Sequence, residues 1–200
     1  DETLREAGAM VVAYGKFGGI ELGYGSDLDL VFLHDSSGEV QRTSGPQVID
    51  NGVFFLRLVQ RLVHLLTVHS AAGRLYEVDT RLRPSGKGGL LVQSIEGFAD
   101  YQRTDAWTWE HQALLRSRAV AGGADLRNRY ESLRVELLRT SVRRQTLRED
   151  VRSMRERMRS ELSKSKAGEF DLKQDAGGIT DVEFLAQYWA LLWSTRYAEL

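Results

Sequence analysis

The sequence contains no cysteine among its 200 residues. This absence excludes disulfides, zinc–thiolate sites and thiol nucleophiles. It is also typical of a reducing compartment, and we expect a cytoplasmic protein. The sequence shows no signal-peptide pattern and no apolar run of the ~20 residues that a membrane-spanning helix requires. We therefore expect no membrane partner.

An excess of charge of one sign is also missing, since 27 basic and 28 acidic residues nearly cancel. The overall charge therefore indicates neither nucleic acid nor a membrane surface as a partner. Apolar residues make up 42% of the chain and charged residues 28%, which is typical of a soluble folded protein. The chain begins at Asp1 without a methionine and ends in an apolar stretch, so we expect a piece of a longer polypeptide.

The first third of the chain has the pattern of strands and glycine turns. Short apolar runs predict three strands, over residues 10–14, 28–33 and 74–82. Residues 48–68 carry apolar side chains at helical spacing and predict a helix. Together these elements predict an α/β domain over residues 1–122.

After about residue 94 we expect only helices. Asp105 is a candidate N-cap for a helix that carries Trp107 and Trp109. Further helices are expected over residues 125–138 and 147–162, and a last one opens at Asp181 and continues through the apolar residues 184–200. The second region, residues 123–200, is therefore predicted to be helical and incomplete.

The most informative stretch is Gly25-Ser26-Asp27-Leu28-Asp29-Leu30. Residues two apart in a strand point to the same face, with backbones ~6.6 Å apart. Asp27 and Asp29 can therefore converge on cations held about 3.5–4 Å from each other. Leu28, Leu30 and Phe32 then form an opposite, apolar face. Because two unpaired carboxylates are costly in an otherwise apolar strand, we predict that both aspartates bind metal and act in catalysis.

A third carboxylate, Asp79, lies in the predicted strand over residues 74–82. Alternation places it on one face with Glu77, Arg81 and Arg83. An acid followed by two arginines suits a metal–triphosphate, because the acid completes the cation site and the guanidinium groups hold phosphate oxygens. We predict Asp79 as the third metal ligand and a catalytic residue, with Glu77 as the rival third ligand.

The glycine-rich turn before the aspartates is a candidate phosphate site. Gly18 and Gly19 allow backbone amides to approach a phosphate without interference from side chains. The turn matches neither a dinucleotide fingerprint nor a P-loop, since no Gly-x-Gly-x-x-Gly occurs there and Gly86-Lys87 is followed by glycine. Lys87 and Lys16 each lie where they can reach a phosphate.

The histidines and tryptophans are assigned to structure. His34, His64, His69 and His111 show no metal-binding spacing. The four tryptophans are expected to anchor the core rather than to stack on bases. Those residues are Trp107, Trp109, Trp189 and Trp193.

Four blocks closely resemble the signatures of the glutamine synthetase adenylyltransferase family. The first is Tyr-Gly-Lys-Phe-Gly-Gly-Ile-Glu-Leu-Gly-Tyr-Gly-Ser-Asp-Leu-Asp, which begins at Tyr14. The others are Val-Asp-Thr-Arg-Leu-Arg-Pro-Ser-Gly from Val78, Ala-Trp-Thr-Trp-Glu-His-Gln-Ala-Leu from Ala106, and Gly-Gly-Ile-Thr-Asp-Val-Glu-Phe from Gly177. They occur in order and span nearly the whole chain. Phe17 stands where the family commonly has leucine, and only seven residues separate Gly19 from Asp27, fewer than in the wider superfamily.

The resemblance implies an α+β fold of the DNA polymerase β-like nucleotidyltransferase type. That fold has a small mixed sheet with flanking helices, followed here by a helical, bundle-like region. It also implies ATP as substrate, two Mg²⁺ ions as cofactors and glutamine synthetase as the protein that receives AMP on a tyrosine. The PII signal protein and glutamine are implied as regulators. The expected nucleotide-binding residues are Gly18, Gly19, Ser26, Arg81, Arg83 and Lys87.

The family enzyme has two homologous halves, one adding AMP and one removing it by phosphorolysis to give ADP. The wording of the second and third blocks resembles the C-terminal, adenylylating half, and the deadenylylating half is the alternative. A catalytically silent docking or regulatory module with the same fold is an alternative of another class. A nucleic-acid polymerase is not supported, because the sequence shows no clear basic groove.

Overall fold

The computed structural model describes residues 7–38, 40–69, 71, 73, 76–166 and 168–197. Within them the strands are β1 (Ala9–Ala13), β2 (Leu28–His34), β3 (Val78–Asp79), β4 (Val92–Ser94) and β5 (Arg118–Ala121). The helices are α1 (Gly15–Gly18), α2 (Asn51–Thr67), α3 (Ile95–Thr104), α4 (Thr108–Leu115), α5 (Ala124–Thr140), α6 (Leu147–Leu162) and α7 (Ile179–Trp193). The predicted α+β class with a small mixed sheet is confirmed.

The sheet has the order β3-β2-β1-β5, and β4 also pairs with β2. β1 is antiparallel to both β2 and β5, whereas β3 and β4 run parallel to β2. β3 pairs with the start of β2 and β4 with its end, so both lie along the same edge. Between them, residues 80–91 leave the sheet and return to it; we call this segment the 80–91 loop.

The expectation of only helices after residue 94 is wrong, because β5 returns to the sheet beside β1. β4 was also not predicted. The third strand is much shorter than the predicted 74–82: it ends at Asp79, because β4 occupies the next part of the same β2 edge. The first two residues of that predicted strand lie outside the described residues.

The core that supports the candidate site lies between the sheet and α2. Leu28, Leu30 and Phe32 of β2 pack with Phe55 and Val59 of α2. The predicted apolar face of β2 is therefore confirmed. Asp50 begins α2 by accepting hydrogen bonds from two backbone amides, as an N-cap carboxylate does.

The contacts divide the chain into two compact units. The sheet unit comprises Asp1–Asp105 and Arg116–Arg134, and the helical unit comprises Ala106–Leu115 and Val135–Leu200. The predicted domain boundary between residues 122 and 123 stays a prediction. α6 has the predicted bounds. Asp105 does not begin α4 as an N-cap; its amide instead donates to Tyr101 at the end of α3.

Buried polar groups connect the helices of the helical unit. Thr108 Oγ1 donates to Asp150 Oδ2 at 2.6 Å, and Gln112 Nε2 donates to Gln187 Oε1 at 3.0 Å. The prediction that the tryptophans anchor the core is wrong for three of them, which are exposed. Their exposed fractions are 65% for Trp107, 54% for Trp189 and 42% for Trp193.

The structural role predicted for His34 is confirmed. Its ring stacks on Phe55 with centroids 4.6 Å apart, and its Nδ1 accepts a hydrogen bond from the Ser36 amide. A bilayer-crossing helix is absent from the described part of the chain, since none combines sufficient length with sufficient apolar character.

Candidate active site

Neighbouring strands bring two of the three predicted acids side by side. Asp29 of β2 pairs with Asp79 of β3 in parallel register. Paired residues of adjacent strands point to the same face, with backbones ~4.8 Å apart. Asp27 lies one residue before β2 and is exposed. Burial, and then the negative charges of Asp79 and Asp27, raise the pKa of Asp29. The three carboxylates therefore form one electrostatic cluster.

The glycine turn lies directly against this cluster. Gly15 has a φ of +54°, and a Cβ there would overlap Asp29 Oδ2. Glycine is therefore suited to this position for two reasons: it adopts the left-handed backbone conformation readily, and it leaves room for the Asp29 carboxylate. Sequence reasoning missed it, although a glycine that ends a strand just before α1 was a readable signal.

Gly18 and Gly19 hold the turn together. Their amides donate to the carbonyls of Tyr14 and Gly15, both at 3.0 Å. A Cβ at Gly18 would overlap the Arg116 carbonyl oxygen. The structure thus gives Gly18 a packing role and uses both amides inside the turn. Nucleotide binding by these two glycines stays a prediction.

Two arginines near β5 support the turn, and sequence reasoning missed both. Arg118 donates to the carbonyls of Gly18 and Phe17 at 3.2 Å each. Arg116 pairs with Glu21 at 2.6 Å, and its charge opposes the rise in the pKa of Asp29. No spacing in the sequence singles them out, because Arg116 lies in a turn and only Arg118 lies in β5.

The 80–91 loop begins with an arginine bound to the third acid. The Arg81 amide donates to Asp79 Oδ1 at 2.8 Å, and Arg81 Nε donates to Oδ2 at 2.7 Å. Nη2 of the same guanidinium also forms an ion pair with Oδ2. The Arg81 side-chain hydrogen bond lowers the pKa of Asp79. Asp79 is therefore an ionised carboxylate with both oxygens bonded to Arg81.

Arg83 instead holds the loop in shape. Its guanidinium donates to the carbonyls of Thr80, Lys87 and Gly89 at 2.7, 3.2 and 3.2 Å. The predicted common face of Asp79, Arg81 and Arg83 is wrong, because the chain leaves the sheet after Asp79. A tight turn follows, and Ser85 and Gly86 have φ values of +59° and +55°.

The remaining predicted residues lie around the cluster in different ways. Lys87 is exposed in a short 3₁₀ turn, and its charge contributes to the lowered pKa of Asp79. Ser26 Oγ accepts a hydrogen bond from the Gly23 amide at 3.3 Å. Glu77, the rival third ligand, is exposed, and its carbonyl accepts from the Leu28 amide. Asp79, not Glu77, is the residue in register with Asp29.

The donor chemistry of the cluster fits Mg²⁺, which prefers oxygen ligands from one or two carboxylates together with substrate phosphates. The raised pKa of Asp29 points the same way, since a cation relieves repulsion between neighbouring carboxylates. Among the described residues, no group of three acidic, histidine or cysteine side chains is arranged to hold a metal ion. The residues thus fit in chemistry and strand position, while both Asp79 oxygens are engaged by Arg81.

Comparison with known proteins matches the sequence of this chain to a protein family. The model of the family described as "Glutamate-ammonia ligase adenylyltransferase" matches residues 1–133. Relatives named "Bifunctional glutamine synthetase adenylyltransferase/adenylyl-removing enzyme" include one from Thioalkalivibrio sulfidiphilus, 54% identical over 98% of this chain. Others are from Hahella chejuensis, 51% identical, and Pseudomonas syringae pv. tomato, 50% identical, each over 100% of this chain.

The chain spans about one fifth of the length of these relatives, with 20–21% of each covered. The family match covers the turn, all three acids and the 80–91 loop. The resemblance seen in the sequence blocks is therefore confirmed, and the chain belongs to the glutamate-ammonia ligase adenylyltransferase family.

Proposed function

We propose that this chain is a nucleotidyltransferase that moves AMP from ATP to a tyrosine of glutamine synthetase. The observation that carries the proposal is the register of Asp29 with Asp79, because it places two carboxylates side by side with a third next to them. The names of the relatives supply the substrate protein. This is the reaction of one half of such a bifunctional enzyme.

Asp27, Asp29 and Asp79 are the proposed ligands of two Mg²⁺ ions. When bound, these ions would neutralise phosphate charge and favour ionisation of the attacking hydroxyl. In the reaction, the tyrosine Oη forms a bond to the α-phosphorus and loses its proton to solvent. The bond from that phosphorus to the bridging oxygen of the β-phosphate breaks, and pyrophosphate leaves. The protein contributes chiefly position and charge.

The nucleotide-binding residues have different proposed tasks. Arg81 and Lys87 are exposed cations beside the acids and contact phosphate oxygens. Ser26 keeps its hydroxyl proton for donation to a phosphate, since its oxygen already accepts from Gly23. Arg83 acts through the loop that it holds together. Gly18 and Gly19 shape the turn that packs against Asp29.

The direct test is transfer of labelled AMP to glutamine synthetase by the purified chain with ATP and Mg²⁺. Asp27→Asn, Asp29→Asn and Asp79→Asn are expected to lower the rate at least a hundredfold. Glu77→Gln is the matched control, because it removes a neighbouring exposed acid and is expected to keep at least half of the rate. Near-normal transfer by Asp29→Asn would refute the proposal.

The direction of the reaction is part of the proposal. We assign the chain to the adenylylating half because its blocks resemble that half. The opposite half would release ADP when adenylylated glutamine synthetase is incubated with phosphate. ADP formation without AMP transfer would reverse the assignment and leave the site unchanged.

The alternative to an enzyme is a catalytically silent docking module. Calorimetry of ATP binding with and without Mg²⁺ discriminates the two, since a catalytic site predicts Mg²⁺-dependent binding that Asp29→Asn removes. By resemblance we also propose a cytoplasmic location and regulation of the complete enzyme by PII and glutamine. The near-zero net charge of −1 supports a protein rather than a nucleic acid as the partner.

A further inference from the structure

The pair formed by Arg81 and Asp79 determines which groups the third acid can bind. Asp79 has only 16% of its side chain exposed, and both of its oxygens accept hydrogen bonds from Arg81. A carboxylate so engaged has its strongest acceptor positions filled by a fork of donors. A cation can therefore reach Oδ2 only where the guanidinium gives way.

The two bonds from Arg81 differ in how easily they can be broken. The backbone amide bond to Oδ1 depends only on the turn that starts at Thr80. The guanidinium bond to Oδ2 depends on a side chain that is 66% exposed and joined by a flexible stem. The guanidinium can therefore leave Oδ2 while the backbone amide still orients the carboxylate.

The other nearby arginines cannot turn to a new partner without breaking the bonds that they already make within the protein. Arg83 is held by three carbonyls of the loop. Arg116 is paired with Glu21, and Arg118 is bonded to the glycine turn. Arg81 is the one of these four arginines whose guanidinium is bonded to a proposed metal ligand.

We propose that, in the nucleotide-free protein, the Arg81 guanidinium occupies Oδ2 of Asp79 and keeps a cation from binding there. When a divalent cation binds Oδ2, the guanidinium moves to the nucleotide phosphates. This inference rests on the proposed function. Cation and nucleotide then bind cooperatively, since the nucleotide gives Arg81 a new partner and frees the carboxylate. By linkage, each ligand strengthens the other by the same factor.

The test measures Mn²⁺ binding by electron paramagnetic resonance of the free ion, with and without a non-hydrolysable ATP analogue, after subtracting the Mn²⁺ that the analogue binds in the absence of protein. Without nucleotide, Arg81→Gln is expected to bind Mn²⁺ about three- to tenfold more tightly than wild type, because the charged partner that competes for the Asp79 carboxylate is gone. The analogue is expected to enhance Mn²⁺ binding in wild type and much less in Arg81→Gln.

Two further variants sharpen the outcome. Arg81→Lys keeps the charge without the fork and should fall between wild type and Arg81→Gln. Arg57→Gln removes an exposed arginine of α2 and should leave both measurements unchanged.

Equal or weaker Mn²⁺ binding by Arg81→Gln would overturn the Arg81 inference alone, provided that wild type binds Mn²⁺ with the analogue and Asp29→Asn does not. If wild type binds no Mn²⁺ even with the analogue, the proposed function fails and this inference fails with it.

Discussion

Replacing Asp29 by Asn should make the protein more stable at neutral pH. The carboxylate is half-buried, and its pKa is raised by burial and then by the charges of Asp79 and Asp27. No described residue donates a hydrogen bond to it. Asn keeps the shape and removes the charge, so the substitution relieves repulsion without breaking a contact.

The size of the gain follows from the distance between the strands. Two unit charges about 5 Å apart repel by about 3 kcal/mol at an effective dielectric constant of about 20. Arg81 neutralises part of the Asp79 charge, and solvent reaches the half-exposed Asp29. Screening of such a pair reduces the net gain to about 1 kcal/mol. For a chain of this length, that gain raises Tm by about 3 °C.

The gain should depend on pH in one direction. Because the folded-state pKa of Asp29 lies above its ordinary value of 3.8, the folded protein binds this proton more tightly than the unfolded chain does. The wild type therefore carries no penalty from Asp29 below that ordinary value and acquires it as pH rises through the folded-state pKa. The advantage of Asp29→Asn is largest at pH 7 and fades toward pH 4.

Urea unfolding of both proteins between pH 4 and pH 8 measures this difference. Asp27→Asn is the comparison, and its gain should be smaller because Asp27 is exposed. If Asp29→Asn is less stable than wild type at pH 7, the repulsion argued here does not exist. If it is more stable by the same amount at every pH, the gain has a cause other than charge.

Three further substitutions test the support of each unit by urea unfolding. Gly18→Ala should cost about 2–3 kcal/mol by overpacking, since its Cβ meets backbone, whereas Gly88→Ala meets nothing within 4 Å and should be nearly neutral; equal costs would contradict the packing role. Tyr130→Phe should cost about 1–2 kcal/mol by breaking a fully buried hydrogen bond to a serine hydroxyl, and a neutral result would contradict that bond. Arg155→Met should destabilise the helical unit by about 2 kcal/mol, since it leaves an aspartate without its buried partner; Arg152→Met, in an exposed pair, should change little, and equal effects would refute the importance of burial.

The sequence was most informative where local pattern decides structure. α6 has the predicted bounds because its apolar stripe repeats at helical spacing over four turns. β2 was predictable because residues 30–33 are a short apolar run, and its alternation correctly placed Leu28, Leu30 and Phe32 toward α2. The same alternation predicted that Asp27 and Asp29 share a face, and that pairing stays a prediction because Asp27 lies just before β2.

The misses occurred where distant parts of the chain decide structure. β4 and β5 are three and four residues long, and each exists through pairing with an earlier strand. The tasks of Arg81 and Arg83 were inferred from an extended backbone that ends at Asp79. Pro84-Ser85-Gly86 was a readable turn signal, but the chain has already left the sheet after Asp79, so this signal comes too late to show where alternation ends.

Asp79 lies in a strand of only two residues. So few backbone hydrogen bonds do not fix the register with β2, and side-chain packing must do so. A slip by one residue would turn the Asp79 side chain toward the core and place Val78 beside Asp29. Tyr76 and Val78 prevent this, because both pack against the apolar cluster that contains Leu28. Burying a carboxylate in their place would be costly. The apolar residues that alternate with the acids therefore set the geometry of the site, and substitutions of Val78 by polar residues should impair cation binding without touching any ligand.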